Sequence, residues 1–445
     1  MRIESFWAKG YRSLRDVRID NLGPFNVFYG PNGGGKSNIL AGIELLLEML
    51  RVAGPNLIYP NLSPQSAAKN VIATGLVARH DFYARDDSRT LLLGAHFVSG
   101  EAGKPVLESG PVKLIDLTIE VTLEWIVQAD PRLSLSQITS AGRKIDVTGA
   151  IHSQSHRAPH LLALLSEVLP AQAFALIGAE RSLGVEAKGG APMPPTNNTV
   201  AWHLSRGQIK RALLQAQLDP SPATRRRLDM LRSLLAGPPL HRPPFAPTQD
   251  PTTGMVELHE RLPDPNPEGL EIPINLAGLG IAQIYAILAK AMLMGTAAVG
   301  IEEPEAHLHA PTSGRALRTL LVRLVEEKFL DQLFIATHSN LFDLDPTGYF
   351  DVSLKDGCTV VTRSDLTRID REHLYEPGPA KHALEKLLQY APADEIVFRR
   401  SDGMGVTAKE MMRLLQEDDA LAVRFLEDVH GAAVRMVKIQ SKKSA

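Results

Sequence analysis

The sequence predicts an α/β fold: a mixed sheet carrying a glycine loop, with β-rich and helical insertions and a short helical C-terminal tail. Three stretches predict it. Residues 27–38, "VFYGPNGGGKSN", run an apolar strand into a glycine cluster and then a helix. Residues 297–310, "AAVGIEEPEAHLHA", end a strand of small residues in two carboxylates, and residues 333–340, "LFIATHSN", end another in a threonine and a histidine. Strands alternating with helices around a glycine loop argue for an α/β core.

Taken in order, the first fifty residues read strand, strand, glycine loop, helix. "NILAGIELLLEMLRV" is apolar nearly all round, as expected of a helix buried beside a sheet. From about Thr74 to Val147 the pattern is β-rich, with "TLLLGAHFV" and "VKLIDLTIEVTLEWIV" as strands. Residues 158–236 read mainly as helices, including "LLALLSEVL" and "TRRRLDMLRSLLAG", and the Pro-rich "GPPLHRPPFAPTQDPTTG" and "LPDPNPEG" read as loops. A helix over 279–294, a strand over 297–301, a further helix and the strand "QLFIAT" follow. "YFDVSLKDGCTVVTR" is a hairpin turning at Asp356-Gly357, and Thr407 with Glu410 forms a capping box for "KEMMRLLQ". The expected organisation is a nucleotide-binding domain over 1–365, formed by lobes 1–73 and 270–365. A β-rich insertion (74–157) and a helical, Pro-rich insertion (158–269) interrupt it, and a helical interaction region spans 366–445.

Composition sets bounds. The chain has 445 residues, 44% of hydrophobic type, enough for a large core in two or three units. Lysine plus arginine total 48 against 50 acids, a formal charge of -2, so any nucleic-acid contact must be a local patch. A single cysteine, Cys358, excludes a disulfide framework and a cysteine-built zinc site, and fits a reducing, cytoplasmic setting. The N-terminus "MRIESFWAKGYRSLRD" lacks the charged-then-apolar order of a signal peptide. Residues 282–301, "AQIYAILAKAMLMGTAAVGI", have the length of a membrane span but contain Gln283, Lys290 and Gly295. They read as a buried helix, a glycine stop and a buried strand, so no membrane is expected as a partner.

"GPNGGGKS" satisfies G-x-x-x-x-G-K-[ST], the Walker A pattern of P-loop NTPases, through Gly30, Gly35, Lys36 and Ser37. The glycines let consecutive backbone N–H groups face a polyphosphate, and the helix N-terminus adds positive potential. The run Gly30, Asn32, Gly33, Gly34, Gly35, Lys36, Ser37 and Asn38 is therefore assigned to a nucleotide's phosphates, with Lys36 on the β- and γ-phosphates and Ser37 on Mg²⁺. Phosphoryl transfer to water also needs the metal held near the phosphates and a residue that positions the water. Glu302, at a strand end, suits the metal side in the manner of Walker B, and Glu303 suits the water. An acidic helix start is the bland reading of this pair; the glycine loop decides against it. His338, at the C-terminal end of its strand, suits contact with the γ-phosphate.

"GPNGGGKSN", "EEPEAHLH" and "ATHSN", in that order, resemble the ABC-class ATPases of the SMC/RecF type, and most of all compact members related to the ATPase half of OLD nucleases. Such proteins occur in DNA repair and anti-phage systems. The resemblance covers about 1–50 and 270–365. It implies that "NLAGLGIAQIYAIL" is the signature segment and that two protomers sandwich ATP. Gly278 and Gly280 would then offer N–H groups to the partner's γ-phosphate, with Gln283 assigned to the same nucleotide. Two departures stand out: Ala282 replaces the usual serine before Gln283, and Glu302 replaces the usual aspartate. Both would slow hydrolysis.

The resemblance implies an ATPase acting as a dimer switch, as a homodimer or higher oligomer, for a separate effector such as a nuclease or toxin, with DNA contact in reach. An ATP-gated scaffold that does not hydrolyse is the alternative. A transporter subunit ranks last, because the stretch between Lys36 and Gly278 is too long. Remaining features keep two readings. Glu305, His307 and His309 form either a metal cluster or a loop facing the other protomer. Arg181, after Glu180, either faces nucleotide or makes a structural ion pair. Arg225, Arg226, Arg227 and Arg232 form either a phosphate-backbone contact or a solvated face. Asp418 and Asp419 lie in a charged helix and make no convincing nuclease centre.

Overall fold

The computed structural model describes residues 2–58, 64–83, 88–99, 107–109, 112–114, 116–126, 130–144, 174–179, 181, 183, 199–205, 207–262, 270–308, 313–342, 348–364, 384, 388–399, 404–416, 421 and 425. Chain order runs β1 (Arg2–Tyr11), β2 (Leu14–Ile19), β3 (Phe25–Tyr29), α1 (Lys36–Ile58), α2 (Pro64–Ala73), β4 (Ser88–Val98), β5 (Leu107–Ser109), β6 (Val112–Leu114), β7 (Asp116–Ile126), β8 (Arg132–Ser140), β9 (Arg143–Lys144) and β10 (Phe174–Ile177). It continues through α3 (Thr199–Ser205), α4 (Ile209–Leu218), α5 (Pro222–Ala236), β11 (Phe245–Gln249), β12 (Val256–Leu262), β13 (Leu270–Pro273), α6 (Leu279–Leu293), β14 (Ala298–Glu302), α7 (Arg315–Glu326) and β15 (Gln332–Thr337). Then come β16 (Gly348–Lys355), β17 (Cys358–Arg363), β18 (Ile396–Arg399), β19 (Gly405–Thr407) and α8 (Ala408–Gln416).

Contacts divide the chain into two units: Met1–Phe342 with Pro346–Arg363, and Asp343–Asp345 with Ser364–Ala445. In the first, the sheet that carries the glycine loop has the order β10-β14-β15-β3-β16-β17. All neighbours are parallel except β16 and β17. Parallel order puts the C-terminal ends of β14, β15 and β3 along one edge, where open α/β sheets bind ligands. The register is explicit: Glu302 pairs with Ala336, and Thr337 with Tyr29. Separated in sequence, the glycine loop, the carboxylates and the threonine-histidine pair therefore leave the sheet side by side.

A second sheet, β2-β1-β4-β7-β8-β9, is antiparallel. Helix α1 packs between the two, which explains why its apolar residues run nearly all round. Ile39, Leu40, Ile43 and Leu46 share one core with Phe6 and Leu93 of the antiparallel sheet and with Phe28 and Phe334 of the parallel one. Two findings go beyond the expected organisation. The β-rich stretch after Thr74 completes the sheet of β1 and β2, because β4 pairs directly with β1. Likewise β10, within the stretch expected to be mainly helical, is an edge strand of the parallel sheet.

Strands β11, β12 and β13 form a small antiparallel sheet against α6. Helix α6 ends at Leu293, followed by Gly295 at φ +75°, as the glycine stop requires. The hairpin turns at Asp356 and Gly357, both at positive φ, the geometry of a two-residue type I′ loop. Among the described residues no helix is long and apolar enough to cross a membrane.

In the second unit, β18 and β19 form a hairpin that the helical expectation for 366–445 had missed. It packs with α8 around Val406, Met411 and Leu415. The Glu410 N–H donates to Thr407 Oγ1 at 3.3 Å, the first half of the expected capping box. "LLALLSEVL", most of "LPDPNPEG", Glu180, His309, Asp418 and Asp419 lie outside the described residues.

Candidate active site

The glycine loop bends because three of its glycines adopt positive φ: Gly30, Gly33 and Gly35. At two of them a side chain has no room. A Cβ on Gly30 would sit 1.9 Å from the Val352 carbonyl oxygen, and one on Gly35 would sit 1.9 Å from Thr359 Oγ1. The loop is thus pressed against β16 and β17. Thr359 Oγ1 bonds Ser13 Oγ at 2.6 Å, and Asn38 Nδ2 donates to Ser13 Oγ at 2.7 Å. This relay ties the β1–β2 turn and β17 to the start of α1. It holds the loop's frame, and no sequence motif marks Ser13 or Thr359.

A cleft of about 330 Å³ opens over the loop. Asn32, Gly33, Gly34, Gly35, Lys36, Ser37 and Asn38 line it on one side, and Glu302, Glu303 and Ala336 on another. Ser13, Leu354 and Gly357 complete it. Its size lies within the range of small-molecule sites, about 300–1,000 Å³. Helix α1 begins at Lys36, so its first backbone N–H groups have no intrahelical acceptor and form an anion site. Lys36 is buried, and its Nζ donates to the Gly30 and Pro31 carbonyls at 2.8 and 2.9 Å. Burial pulls its pKa down, while Glu303, Glu305 and Glu302 hold it up. A cation and three carboxylates thus feel each other across the cleft.

Glu302 ends β14, and Glu303 turns the chain at φ +42°, unusual for a residue with a side chain. Its N–H donates to the Ala336 carbonyl at 2.7 Å. His338 Nδ1 lies 4.0 Å from Glu303 Oε1 and 3.4 Å from Glu305 Oε1. Thr337 Oγ1 donates to Glu305 Oε1 at 2.5 Å, and the His338 N–H to the same oxygen at 3.3 Å. Glu305 therefore fixes the threonine-histidine turn beside Glu303. Of the other two candidate ligands in "EAHLH", His307 is exposed and His309 lies outside the described residues, among which no group of three His, Cys, Asp or Glu side chains is placed to hold a metal.

For Mg²⁺, the donor set fits. The exposed Ser37 hydroxyl and the Glu302 carboxylate line the same cleft and are oxygen donors only. A hard cation that keeps several waters and substrate oxygens needs few protein ligands of this kind.

The signature residues divide. Gly278, at φ +99°, and Gly280 stand at the N-terminus of α6, outside the cleft lining, beside the exposed Leu276 and Leu279. A Cβ on Gly280 would lie 3.3 Å from the His307 carbonyl oxygen, so α6 backs onto the turn after the carboxylates. Gln283, expected at the nucleotide, is instead 4% exposed, and its Nε2 donates to the Arg181 carbonyl at 2.6 Å. An apolar helix packed on three sides carries it inward.

Arg181 resolves differently from both of its readings. It is buried, and its guanidinium donates to the carbonyls of Gly178, Glu302 and Glu303 at 2.9, 2.7 and 2.5 Å. Burial brings its pKa down to about 10, opposed by Glu305, Glu303 and Glu302, so it stays charged at neutral pH. Arg225, Arg226 and Arg232 on α5 bond locally, to the Asp219 and Pro222 carbonyls and to Gln217.

Behind the cleft, burial together with Glu48 and Glu302 pushes Glu44 up to about 7, against Arg12. A carboxyl raised by folding stabilises the fold below its unfolded pKa, and that contribution is lost as pH rises through about 7. Glu44→Gln is therefore expected to raise Tm at about pH 8 and to leave it nearly unchanged at about pH 4. Thermal melts across that range check it; an equal shift at both ends removes the assignment.

Comparison with known proteins follows the same lines. Residues 246–345 match the family described as "AAA domain, putative AbiEii toxin, Type IV TA system". A stretch of 46 residues, 10% of the chain, is 44% identical to the DNA replication and repair protein RecF of Acinetobacter baylyi. Over 35 residues, 8% of the chain, identity to RecF of Acinetobacter baumannii is 57%. These stretches span only 13% and 10% of the two relatives' lengths. The chain is also similar to an SMC head domain from Thermotoga maritima, at 13% identity and TM-score 0.40, covering 82% of this chain and 100% of that one. An SmcHead bound to the C-winged helix domain of ScpA is similar at 13% identity and TM-score 0.46, covering 82% and 99%. In its glycine loop, its carboxylate strand and these partial matches, the chain is similar to ABC-class P-loop proteins of the SMC/RecF type.

Proposed function

We propose that the chain binds ATP with Mg²⁺ in the cleft over Gly30–Ser37 and hydrolyses it slowly. One observation carries this reading: Lys36 and Ser37 line the same cleft as Glu302 and Glu303. Lys36 and the N–H groups at the start of α1 hold the β- and γ-phosphates. Bound Mg²⁺, held by Ser37 and Glu302, supplies charge neutralisation on the transferring phosphoryl group. Glu303 accepts a hydrogen bond from the attacking water and aims it in line. His338, beside Glu303 and fixed through Glu305, contacts the γ-phosphate. Phosphate release by the wild type and by Glu303→Gln decides it: equal, near-background rates in both rule hydrolysis out.

In this reading residues 1–365 are the ATPase domain, with 366–445 as an interaction region. ATP closes a homodimer whose exposed Gly278 and half-buried Gly280 meet the partner's nucleotide, and hydrolysis reopens it. The family description names a toxin system, and the RecF relatives are repair proteins. Both support a switch that acts in defence or DNA maintenance on a separate effector. Light scattering with and without ATP tests closure; an unchanged mass for Glu303→Gln in saturating ATP counts against it. A second reading, an ATP-gated scaffold, draws support from Ala282 and the buried Gln283, which leave the signature without these two polar contacts.

A further inference from the structure

We propose that Arg181 is a positioning residue for Glu302 and Glu303, and that through Gln283 it makes their geometry depend on α6. The proposal rests on the hydrolytic reading of Glu303. Strand β10 runs parallel to β14 with Ile177 opposite Ile301, so the chain leaving β10 passes alongside the carboxylate turn. There the guanidinium binds two consecutive carbonyls, those of Glu302 and Glu303, and the Gly178 carbonyl anchors it from its own side. Its acceptors are backbone oxygens, so it orients the main chain and leaves both carboxylates free for the cleft. A planar fork suits two adjacent carbonyls in a way that an ammonium does not.

The turn it holds is one that needs holding. Glu303 sits at φ +42°, a conformation that persists where its surroundings over-determine it. Three hydrogen bonds do so here: its N–H to Ala336, and the Ala306 N–H and Arg181 to its carbonyl. Loss of Arg181 leaves that carbonyl to the Ala306 N–H alone and frees the Glu302 carbonyl, which loosens the turn that aims the side chain.

Arg181 in turn is held by α6. Gln283 Nε2 donates to its carbonyl, and Lys290, two turns further along α6, is close enough that Arg181 contributes to lowering its pKa. Across the helix, Tyr285 Oη donates to Glu260 Oε1 at 2.8 Å, and Glu260 is paired with Arg242. Helix α6 is thus bonded to the β11–β13 sheet on one face and to the carboxylate turn, through Arg181, on the other. A shift of α6 pulls on Gln283, then on Arg181, then on the backbone of Glu302 and Glu303. Among the described residues, Gln283 Oε1 is buried without a partner, so the bond from Nε2 to the Arg181 carbonyl is what ties this side chain.

The test uses the full chain with Arg181→Met, Arg181→Lys, Gln283→Leu and the double variant Arg181→Met/Gln283→Leu. The first readout needs no nucleotide: hydrogen exchange of amides 301–308, expected to quicken in Arg181→Met and Gln283→Leu with little change elsewhere in the chain. The second is steady-state phosphate release. Arg181→Met is expected to lose about 30–100-fold in kcat with KM for ATP within about threefold, since misplacing a catalytic group by about 1 Å costs on the order of 10²-fold. Gln283→Leu should lose less, and the double variant no more than Arg181→Met alone, because residues acting in one chain are not additive. Arg181→Lys, which keeps the charge, serves if Arg181→Met does not fold, and should recover only part of kcat. A rise in KM at unchanged kcat makes Arg181 a nucleotide contact and overturns the proposal, as do additive losses. If Glu303→Gln equals the wild type, the hydrolytic reading fails separately. The exchange data then decide alone, and unchanged rates at 301–308 reject the clamp.

Discussion

Glu303→Gln is expected to slow phosphate release by about 100-fold or more, the usual scale for a positioned proton-accepting group, while ATP affinity stays within a few-fold. The side chain lines the cleft, next to the loop that carries Lys36 and Ser37. Glutamine keeps its shape and the backbone bonds to Ala336 and Arg181, so the strained turn survives. What it loses is the negative charge that draws a proton from the attacking water. The variant therefore separates binding from chemistry, and a lower kcat at constant KM is its signature. A Glu303→Gln protein that turns over like the wild type would move the water-positioning role elsewhere.

Lys36→Met is expected to weaken ATP binding by about 100-fold or more, because a charge-assisted hydrogen bond contributes about 1.5–3 kcal/mol and this ammonium serves two phosphates. The same ammonium donates to the Gly30 and Pro31 carbonyls, where burial lowers its pKa. In the proposed complex phosphate oxygens would take the place of those carbonyls around a cation that is already buried and pointed into the loop. Titration with a fluorescent ATP analogue measures the change. An affinity within about threefold of the wild type would mean that backbone N–H groups alone carry the phosphate, as helix N-termini can.

What was legible in the sequence is what local chemistry writes locally. The glycine loop between strand and helix, the two carboxylates closing a strand and the Asp356-Gly357 hairpin each need particular residues within a few positions. Each was found where it was read. The RecF-like ordering added a signature helix, and that helix exists over Leu279–Leu293. Gln283 did not follow, because whether a helical side chain faces solvent or core depends on what packs against it. Here α6 is apolar on nearly every face, and Gln283 is turned inward onto Arg181.

The tertiary structure decided the rest. No motif joins Ser13, Asn38 and Thr359, yet together they frame the loop. No pattern marks Arg181 as the holder of Glu302 and Glu303, because a hydrogen bond to a backbone carbonyl leaves no trace in the acceptor's identity. The glycine loop, the carboxylate pair and the strand-end histidine were legible because each is set by residues in contact along the chain. The parallel sheet, by placing β15 between β14 and β3, makes the loop and the carboxylate pair line one cleft and sets His338 beside Glu303. Register across strands hundreds of residues apart is fixed by packing, not by neighbours in sequence.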